Sequence, residues 1–399
     1  MTVDSSPVKY IPTLPGQPVP EIRTISGNRP VFRAELPDGR VVWLVSGYDN
    51  VRQVIIDQRF SRALAVAPGR AQPGFEMFAG GSINGMDPPE HTRLRKLVAS
   101  AFTARRVEAL RPRVAGIVNQ LIDAMLGRPQ PADLVAGFSL PLPARVICEM
   151  LGVPAEDLGQ FHAWSDTIMG DWQRDADEIM AALAELYGYF GALIEIKRDR
   201  PADDLMSALI AARDDADRLS EPELTVMRCT LLIGGHETTA NQINLSLLLL
   251  FDHPGEVATL RADPGLIPGA VEELLRCSRL GGLAPARVTR EDVQIGGVVI
   301  PAGEQVIPLF GTANRDPAEF GDPDRFDVTR DASGHLSFGA GVHHCLGAQL
   351  ARVELQEAFR GLIGRLSRLR LAVPASELEF KPGMAIHSLR ELPVFWGEP

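Results

Sequence analysis

The chain has 399 residues, 45% hydrophobic and 23% charged, which is enough apolar material for a large core and excludes global disorder. A formal net charge of −11 argues against nucleic acid as the main partner. Of the 40 basic residues only four are Lys (Lys9, Lys96, Lys197, Lys381), a usage that, with abundant Ala, Gly and Pro, suggests a GC-rich bacterial source. The four cysteines, Cys148, Cys229, Cys277 and Cys345, form no CxxC pair, so a zinc ribbon or disulfide scaffold is disfavoured and a reducing compartment is expected. Residues 1–20 lack a basic stretch followed by an apolar one, so no signal peptide is expected. The most apolar segment, 231–251, carries His236, Glu237, Asn241, Gln242 and Asn244, too many polar groups for a membrane span. The expectation is a cytoplasmic protein with no membrane and no nucleic-acid partner.

In chain order, residues 1–30 are rich in Pro and polar residues and are expected to wrap the surface. Residues 31–36 and 41–45 flank Pro37-Asp38-Gly39-Arg40 and predict a β-hairpin. Asp49 or Asn50 is expected to cap a helix running to about Gln58. Residues 62–86 lack periodicity and hold five glycines, which predicts a long loop of the binding or lid kind. From His91 to about Leu250 the pattern is helical, with breaks at Pro131, Pro141, Pro154 and Pro201. Residues 293–300 predict a second hairpin, 301–340 are loop-rich, and a helix starts near Cys345 and runs to about Leu366. With no repeat or linker, the reading is one domain over 1–399, mainly α with small β-sheets.

The most specific segment is Phe338-Gly339-Ala340-Gly341-Val342-His343-His344-Cys345-Leu346-Gly347. Glycines allow backbone amides close to the sulfur, and the start of the following helix offers unpaired N–H groups and a positive dipole end. Both favour a thiolate. Ser, Thr, Asp and Asn are missing from the cap position, so the sulfur is expected to stand there. The segment resembles the haem-binding loop F-G-x-G-x-H-x-C-x-G of the cytochrome P-450 family at every fixed position. The resemblance implies the P-450 fold with a long central helix over haem b (iron protoporphyrin IX). It implies Cys345 as the metal ligand, and Phe338, Gly339 and Gly347 as haem-loop residues. A thiolate ligand favours O–O cleavage.

Residues 224–250 predict a helix about 40 Å long, interrupted by Gly234-Gly235-His236-Glu237-Thr238-Thr239. Two glycines inside a helix cost roughly 2 kcal/mol relative to alanines, which suggests a close approach or a bend. The segment resembles the family's oxygen-activation pattern [A/G]-G-x-[D/E]-T-T. That implies Thr238 and Glu237 as catalytic residues that hold dioxygen and pass protons to it, with the two glycines making room. An acid–alcohol relay suits a reaction that needs protons in a dry pocket.

Glu273 and Arg276 match the family's E-x-x-R, a spacing that also occurs at Glu90/Arg93, Glu108/Arg111, Glu195/Arg198 and Glu357/Arg360. The resemblance selects Glu273/Arg276 by position, with Arg325 completing a buried structural network. His91 and Arg95 share a helix face. By resemblance these two, with Arg287 and His343, bind the haem propionates.

Pocket residues implied by the resemblance are Phe75, Met77, Phe78, Ile83 and Met86 from the long loop, Leu231, Leu232 and Gly235 from the long helix, Leu283 after Arg276, and Ile386 near the C-terminus. Few charges are among them, so an apolar small-molecule organic substrate is expected. The reaction implied is hydroxylation or epoxidation with O2 of a bulky natural product, a macrolide or other polyketide or a terpenoid, as in antibiotic biosynthesis. The chain has no dinucleotide fingerprint and no cysteine cluster, so electrons are expected from NAD(P)H through a ferredoxin reductase and a ferredoxin, with Lys96 and Arg352 as candidate docking cations. Three other readings of the residues stand beside this one: oxidative coupling, rearrangement or peroxide-driven oxidation on the same cofactor; a haem-binding sensor; and a Cys–His hydrolase using Cys345 with His343 or His344.

Overall fold

The computed structural model describes residues 7–9, 29–36, 39–67, 70, 81–169, 176–202, 204–214, 220–281, 285–382 and 386–397. A short strand, Val8–Lys9 (β1), runs parallel to Val31–Glu35 (β2). β2 pairs antiparallel with Val41–Val45 (β3), Val31 opposite Val45 and Glu35 opposite Val41. This is the first expected hairpin; its Pro37-Asp38 turn lies outside the described residues. Both faces of β2 and β3 are covered: Val31, Trp43 and Val45 pack into one apolar cluster, and Phe32, Ala34, Val42 and Leu44 into another.

The next helix, Tyr48–Ile56 (α1), is not capped by Asp49 or Asn50. Gly47 stands at its N-cap with φ 82°, and the Asp316 carboxylate accepts from the Tyr48 N–H at 2.7 Å. A side chain 268 residues away thus does the work expected of a local cap. Phe60–Ser61 (β4) follows. A helical region then runs through Glu90–Ala99 (α2), Ala104–Leu126 (α3), Pro141–Leu151 (α4), Leu158–Met169 (α5), Ala176–Asp199 (α6), Leu205–Asp214 (α7), Glu221–Asp252 (α8), Pro254–Ala262 (α9) and Ile267–Cys277 (α10). Ala132–Asp133 (β5) interrupts it.

α8 begins three residues before the sequence pattern suggested because Ser220 and Glu223 form a reciprocal capping box: the Ser220 hydroxyl accepts from the Glu223 N–H, and the Glu223 carboxylate accepts from the Ser220 N–H at 2.8 Å. Its 32 residues span about 48 Å. Arg287–Thr289 (β6), the hairpin Val293–Ile295 (β7) and Val298–Ile300 (β8), and Gln305–Pro308 (β9) follow. The hairpin turns at Gly296 and Gly297, both left-handed at φ 52° and 81°. Phe310–Ala313 (α11) precedes a coil-rich stretch that leads to Ala348–Arg365 (α12). Arg370–Leu371 (β10) and Pro393–Phe395 (β11) close the chain's second sheet.

The larger sheet has the order β1-β2-β3-β9-β6-β4, so the N-terminal hairpin is extended by β9, where Val306 pairs with Trp43, and then by β6 and β4; the smaller sheet is β10-β11-β5. The main apolar core lies among the helices, with α8 running through it and α3, α4 and α12 packed about it. α12 meets α3 at Gly361, where a Cβ would come within 2.5 Å of Val118 and 2.9 Å of Ile122. Among the described residues the helix long and apolar enough to cross a membrane is α6, not the 231–251 segment.

The α3–α12 contact supplies a paired test. Gly361→Val should lower stability by about 1–3 kcal/mol through overpacking. Gly364→Ala, whose Cβ meets nothing within 4 Å, should raise it by up to about 1 kcal/mol. Thermal unfolding of the haem-loaded protein compares the two.

Candidate active site

The cysteine loop is held by its own backbone. The Cys345 N–H donates to the Phe338 carbonyl at 2.8 Å, and the Gly339 N–H to the Leu336 carbonyl at 2.8 Å. Gly339 and Gly341 are both left-handed at φ 68°, and a Cβ on Gly341 would stand 3.3 Å from the Ile55 carbonyl oxygen. Cys345 is exposed to solvent on one side. The protein packed around the sulfur pushes the thiol up, opposed by the Gly347 N–H and by the Arg95 and Arg352 guanidiniums. Coordination by a metal would remove the thiol proton outright. α12 starts at Ala348 with Gly347 at its N-cap and no side-chain cap.

Arg352, one turn into α12, stacks over the Phe338 ring at 4.7 Å and forks onto Glu272 at 2.8 and 2.9 Å. His335 meets the same carboxylate at 3.2 Å. Arg352 is thus a brace between α10, α12 and the loop. Lys96 is exposed on α2.

Cationic groups converge beside this loop. His91 on α2 is buried, neither ring nitrogen has a hydrogen-bond partner, and its ring lies 4.4 Å from that of His343. Arg95, one turn on, donates to the His344 carbonyl. Arg287 opens β6, buried, and donates to the Pro285 carbonyl at 3.2 Å. Arg62 joins them, donating to the carbonyls of Asn84 at 3.0 Å and Ala286 at 2.6 Å.

Burial drives Arg62 down to about 10 against the pull of Asp87. Burial and the Arg62 charge take Arg287 down to about 9. Burial, with His91, Arg62 and Arg287 nearby, takes His343 to about 3. The Asp87 carboxylate already accepts from the Ser61 hydroxyl at 2.5 Å, the Arg62 N–H at 2.8 Å and Arg290 at 2.7 Å. Mutually repelling cations around an unpartnered buried imidazole fit a group that brings two carboxylates, as haem does with its propionates. Sequence reasoning missed Arg62: one arginine after a two-residue strand carries no pattern, and its neighbours come from 22 and 224 residues away.

On α8, Gly234 is exposed and its Cβ would meet nothing within 4 Å. The Thr238 hydroxyl donates to the Gly234 carbonyl at 2.8 Å, and Leu231 falls on the same face by its three-residue spacing. Gly235 does not face this space: its Cβ would strike Ile147 at 2.8 Å, so it is the close contact between α8 and α4 and not a pocket residue. Leu232 is buried in the main apolar core, as is Leu231. Glu237 is buried; its carboxylate accepts from Asn241 at 2.8 Å. Burial raises its pKa, against the opposing charges of Lys381 and His162.

Ile83 is buried in the main core and Met86 packs on it half-buried. Ile386 bridges to Gly281. Phe75, Met77, Phe78 and Leu283 lie outside the described residues.

Of the five E-x-x-R spacings, Glu273 and Arg276 alone form a pair with both side chains at 0% exposure, at 2.6 Å. Arg276 also donates to the carbonyls of Asn314 and Pro323 at 2.8 Å each. Arg325 is not the third member. Its side chain is 63% exposed and pairs with Asp327, and only its carbonyl reaches Arg276. Arg330 takes that position, 14% exposed, with Nε 3.2 Å from Glu273. Loop curvature folds Arg330 back while Arg325 points outward.

A family profile described as Cytochrome P450 matches residues 144–263 and 265–383. The chain belongs to the cytochrome P450 family and is a haem-thiolate monooxygenase whose cofactor is haem b, working on a small organic substrate with O2 and a redox partner. It is similar to nocardicin C N-oxygenase of Nocardia uniformis subsp. tsuyamanensis, 49% identical over 94% of this chain and 95% of that one. It is similar to mycinamicin IV hydroxylase/epoxidase of Micromonospora griseorubida, 48% identical over 92% and 93%. The solved structure of the mixed-function P450 MycG superposes with a TM-score of 0.89 at 44% identity, covering 98% of this chain and 100% of that one.

The two arginines near Glu273 should separate cleanly. Arg276→Ala strands a buried carboxylate and should cost about 3–5 kcal/mol with loss of haem retention. Arg325→Ala should stay within about 0.5 kcal/mol. Thermal midpoints and haem content after dialysis measure both.

Proposed function

We propose that this enzyme inserts one atom of O2 into a bulky, largely apolar natural product, a macrolide or other polyketide or a terpenoid, within secondary metabolism in the cytoplasm. The whole chain serves as one domain around one haem. The observation that carries the reading is the convergence of His91, Arg95, Arg287 and His343 beside the glycine loop that presents Cys345. Cys345 would ligate the iron, Arg95 and Arg287 would hold the propionates as charged donors with His91 and His343 as neutral imidazole donors, and Arg62 would reinforce them. Haem when bound supplies the redox centre at which dioxygen is reduced and one oxygen atom is transferred.

The chain's own contribution on the oxygen side is proton handling. The Thr238 hydroxyl, donating to the Gly234 carbonyl, is an O–H fixed beside open space. Glu237, with a pKa raised chiefly by burial, keeps its proton to higher pH than an ordinary glutamate, which suits it to donate. The proton-donating form is lost as pH rises through that raised value. Electrons come from NAD(P)H through a ferredoxin reductase and a ferredoxin, with Lys96 among the cations at the docking face.

The test is turnover of a macrolide, polyketide and terpenoid panel with ferredoxin, its reductase and isotopically heavy dioxygen. A substrate-induced change in the haem spectrum and a product bearing one heavy oxygen are expected; silence across the panel overturns the substrate class. Product formation with peroxide alone, but not with ferredoxin, would favour the peroxide-driven reading.

Two variants check the roles. Cys345→Ser should abolish the thiolate-type spectrum of the ferrous carbonyl adduct. Thr238→Ala should divert about 90% or more of consumed NAD(P)H away from product, taking a general-acid contribution of ~100-fold as the guide. Glu237→Gln should flatten the alkaline fall in turnover while leaving the ferrous carbonyl spectrum intact.

A further inference from the structure

Behind the open face of α8 lies a cluster of which the oxygen chemistry uses only Glu237. His162 on α5 and His236 and Glu237 on α8 come together here, and each keeps one polar atom without a partner: His162 Nδ1, His236 Nε2 and Glu237 Oε1. All three of these atoms are buried. The ligating atoms of the trio lie within 4.8 Å of one another. Any triangle of that size places a single atom no more than about 2.8 Å from every corner, close to hydrogen-bond length. Closing to the 2.0–2.1 Å of a zinc–nitrogen bond asks for about 0.7 Å from each side chain.

We infer that His162, His236 and Glu237 form a binding site for a zinc-class divalent transition ion. The donor set is two imidazoles and one carboxylate, which suits zinc with a fourth position left for water. The outer contacts are those of a metal site. The His236 Nδ1 meets the Leu232 carbonyl at 3.2 Å, which fixes the proton there and turns the bare Nε2 lone pair toward the cluster. The Glu237 Oε2 is held by Asn241 at 2.8 Å, which leaves Oε1 for the ion. Burial keeps both imidazoles neutral at neutral pH, ready to bind without releasing a proton. The Lys381–Asp166 ion pair stands at the rim, its ammonium acting on His162 and Glu237 more strongly than its carboxylate, so an ion must bind against that charge and the donor geometry carries the site. Two nitrogen donors disfavour Mg2+ and Ca2+, which take oxygen.

An ion here holds Glu237 as a carboxylate. If Glu237 supplies protons as proposed above, zinc should therefore suppress turnover reversibly; this consequence rests on that proposal, whereas the site itself does not.

The experiment is equilibrium dialysis of the haem-loaded enzyme against ZnCl2, with zinc and iron measured together, and the same with MgCl2. The expected result is one zinc retained per haem and no magnesium. His162→Ala should weaken zinc at least about tenfold, and Asn241→Leu about 10- to 100-fold through the lost outer contact. Haem content and the ferrous carbonyl spectrum establish that each variant is folded, and His162→Gln replaces the alanine variant if it fails that check. Wild-type protein that retains no stoichiometric zinc overturns the site, as does retention unchanged in both variants, which would place the ion on the surface. Stoichiometric binding without loss of turnover keeps the site and removes Glu237 from proton delivery.

Discussion

The Glu273–Arg276 ion pair fixes where the cysteine loop can lie. Both charges are wholly removed from water, and a pair in that state must have its remaining hydrogen-bonding capacity met or it opposes folding. Arg276 meets its share by binding the carbonyls of Asn314 and Pro323, which draws the coil after α11 onto α10. Asn314 passes the constraint on: its side chain accepts from the Leu336 N–H at 2.7 Å and donates to Ser337 at 2.8 Å. Ser337 in turn donates to the Leu275 carbonyl on α10 at 2.7 Å. The next residue, Phe338, supplies the carbonyl that receives the Cys345 N–H. A sulfur that must be placed to a fraction of an ångström thus depends on a salt bridge seventy residues earlier. A surface pair could not serve, because side chains in water keep their freedom.

The same reasoning separates structural polar groups from ligand-binding ones. Along this brace every buried charge finds its complement within the chain. Around His91 the opposite holds: an unpartnered imidazole, arginines whose pKa values fall to about 10 and about 9, and a histidine at about 3. A chain does not gather repelling cations in its interior for stability. Such a set fits an anionic ligand, and it lies beside the Cys345 loop.

What could be read from the sequence was local. Residues 338–347 and 234–239 act through backbone and side chains a few positions apart, so their spacing carries the geometry. Apart from the start of α8, the failures are long-range. Arg325 and Arg330 are both arginines in one coil, and only the path of that coil turns the second toward Glu273. Arg352 looks like a surface cation until Glu272, eighty residues away, closes on it. Gly47 needs no capping side chain beyond it because Asp316 arrives from the other half of the chain. Arg62 has no motif because its partners are backbone carbonyls from two distant segments.

The glycine pair of α8 shows how one short motif can answer two demands. Adjacent helical residues leave the axis about 100° apart, so Gly234 and Gly235 face different neighbours. Gly234 opens onto free space beside Thr238, where a methyl group would intrude on whatever binds there. Gly235 lets α4 approach until Ile147 would touch its Cβ. A further turn of the wheel carries His236 and Glu237 to a side where they meet α5 instead of the open space. The carboxylate and the hydroxyl are neighbours in sequence but stand in different surroundings, one dry and one open. That difference lets adjacent residues differ in protonation behaviour: burial raises the pKa of Glu237, while Thr238 has only its helix carbonyl to satisfy.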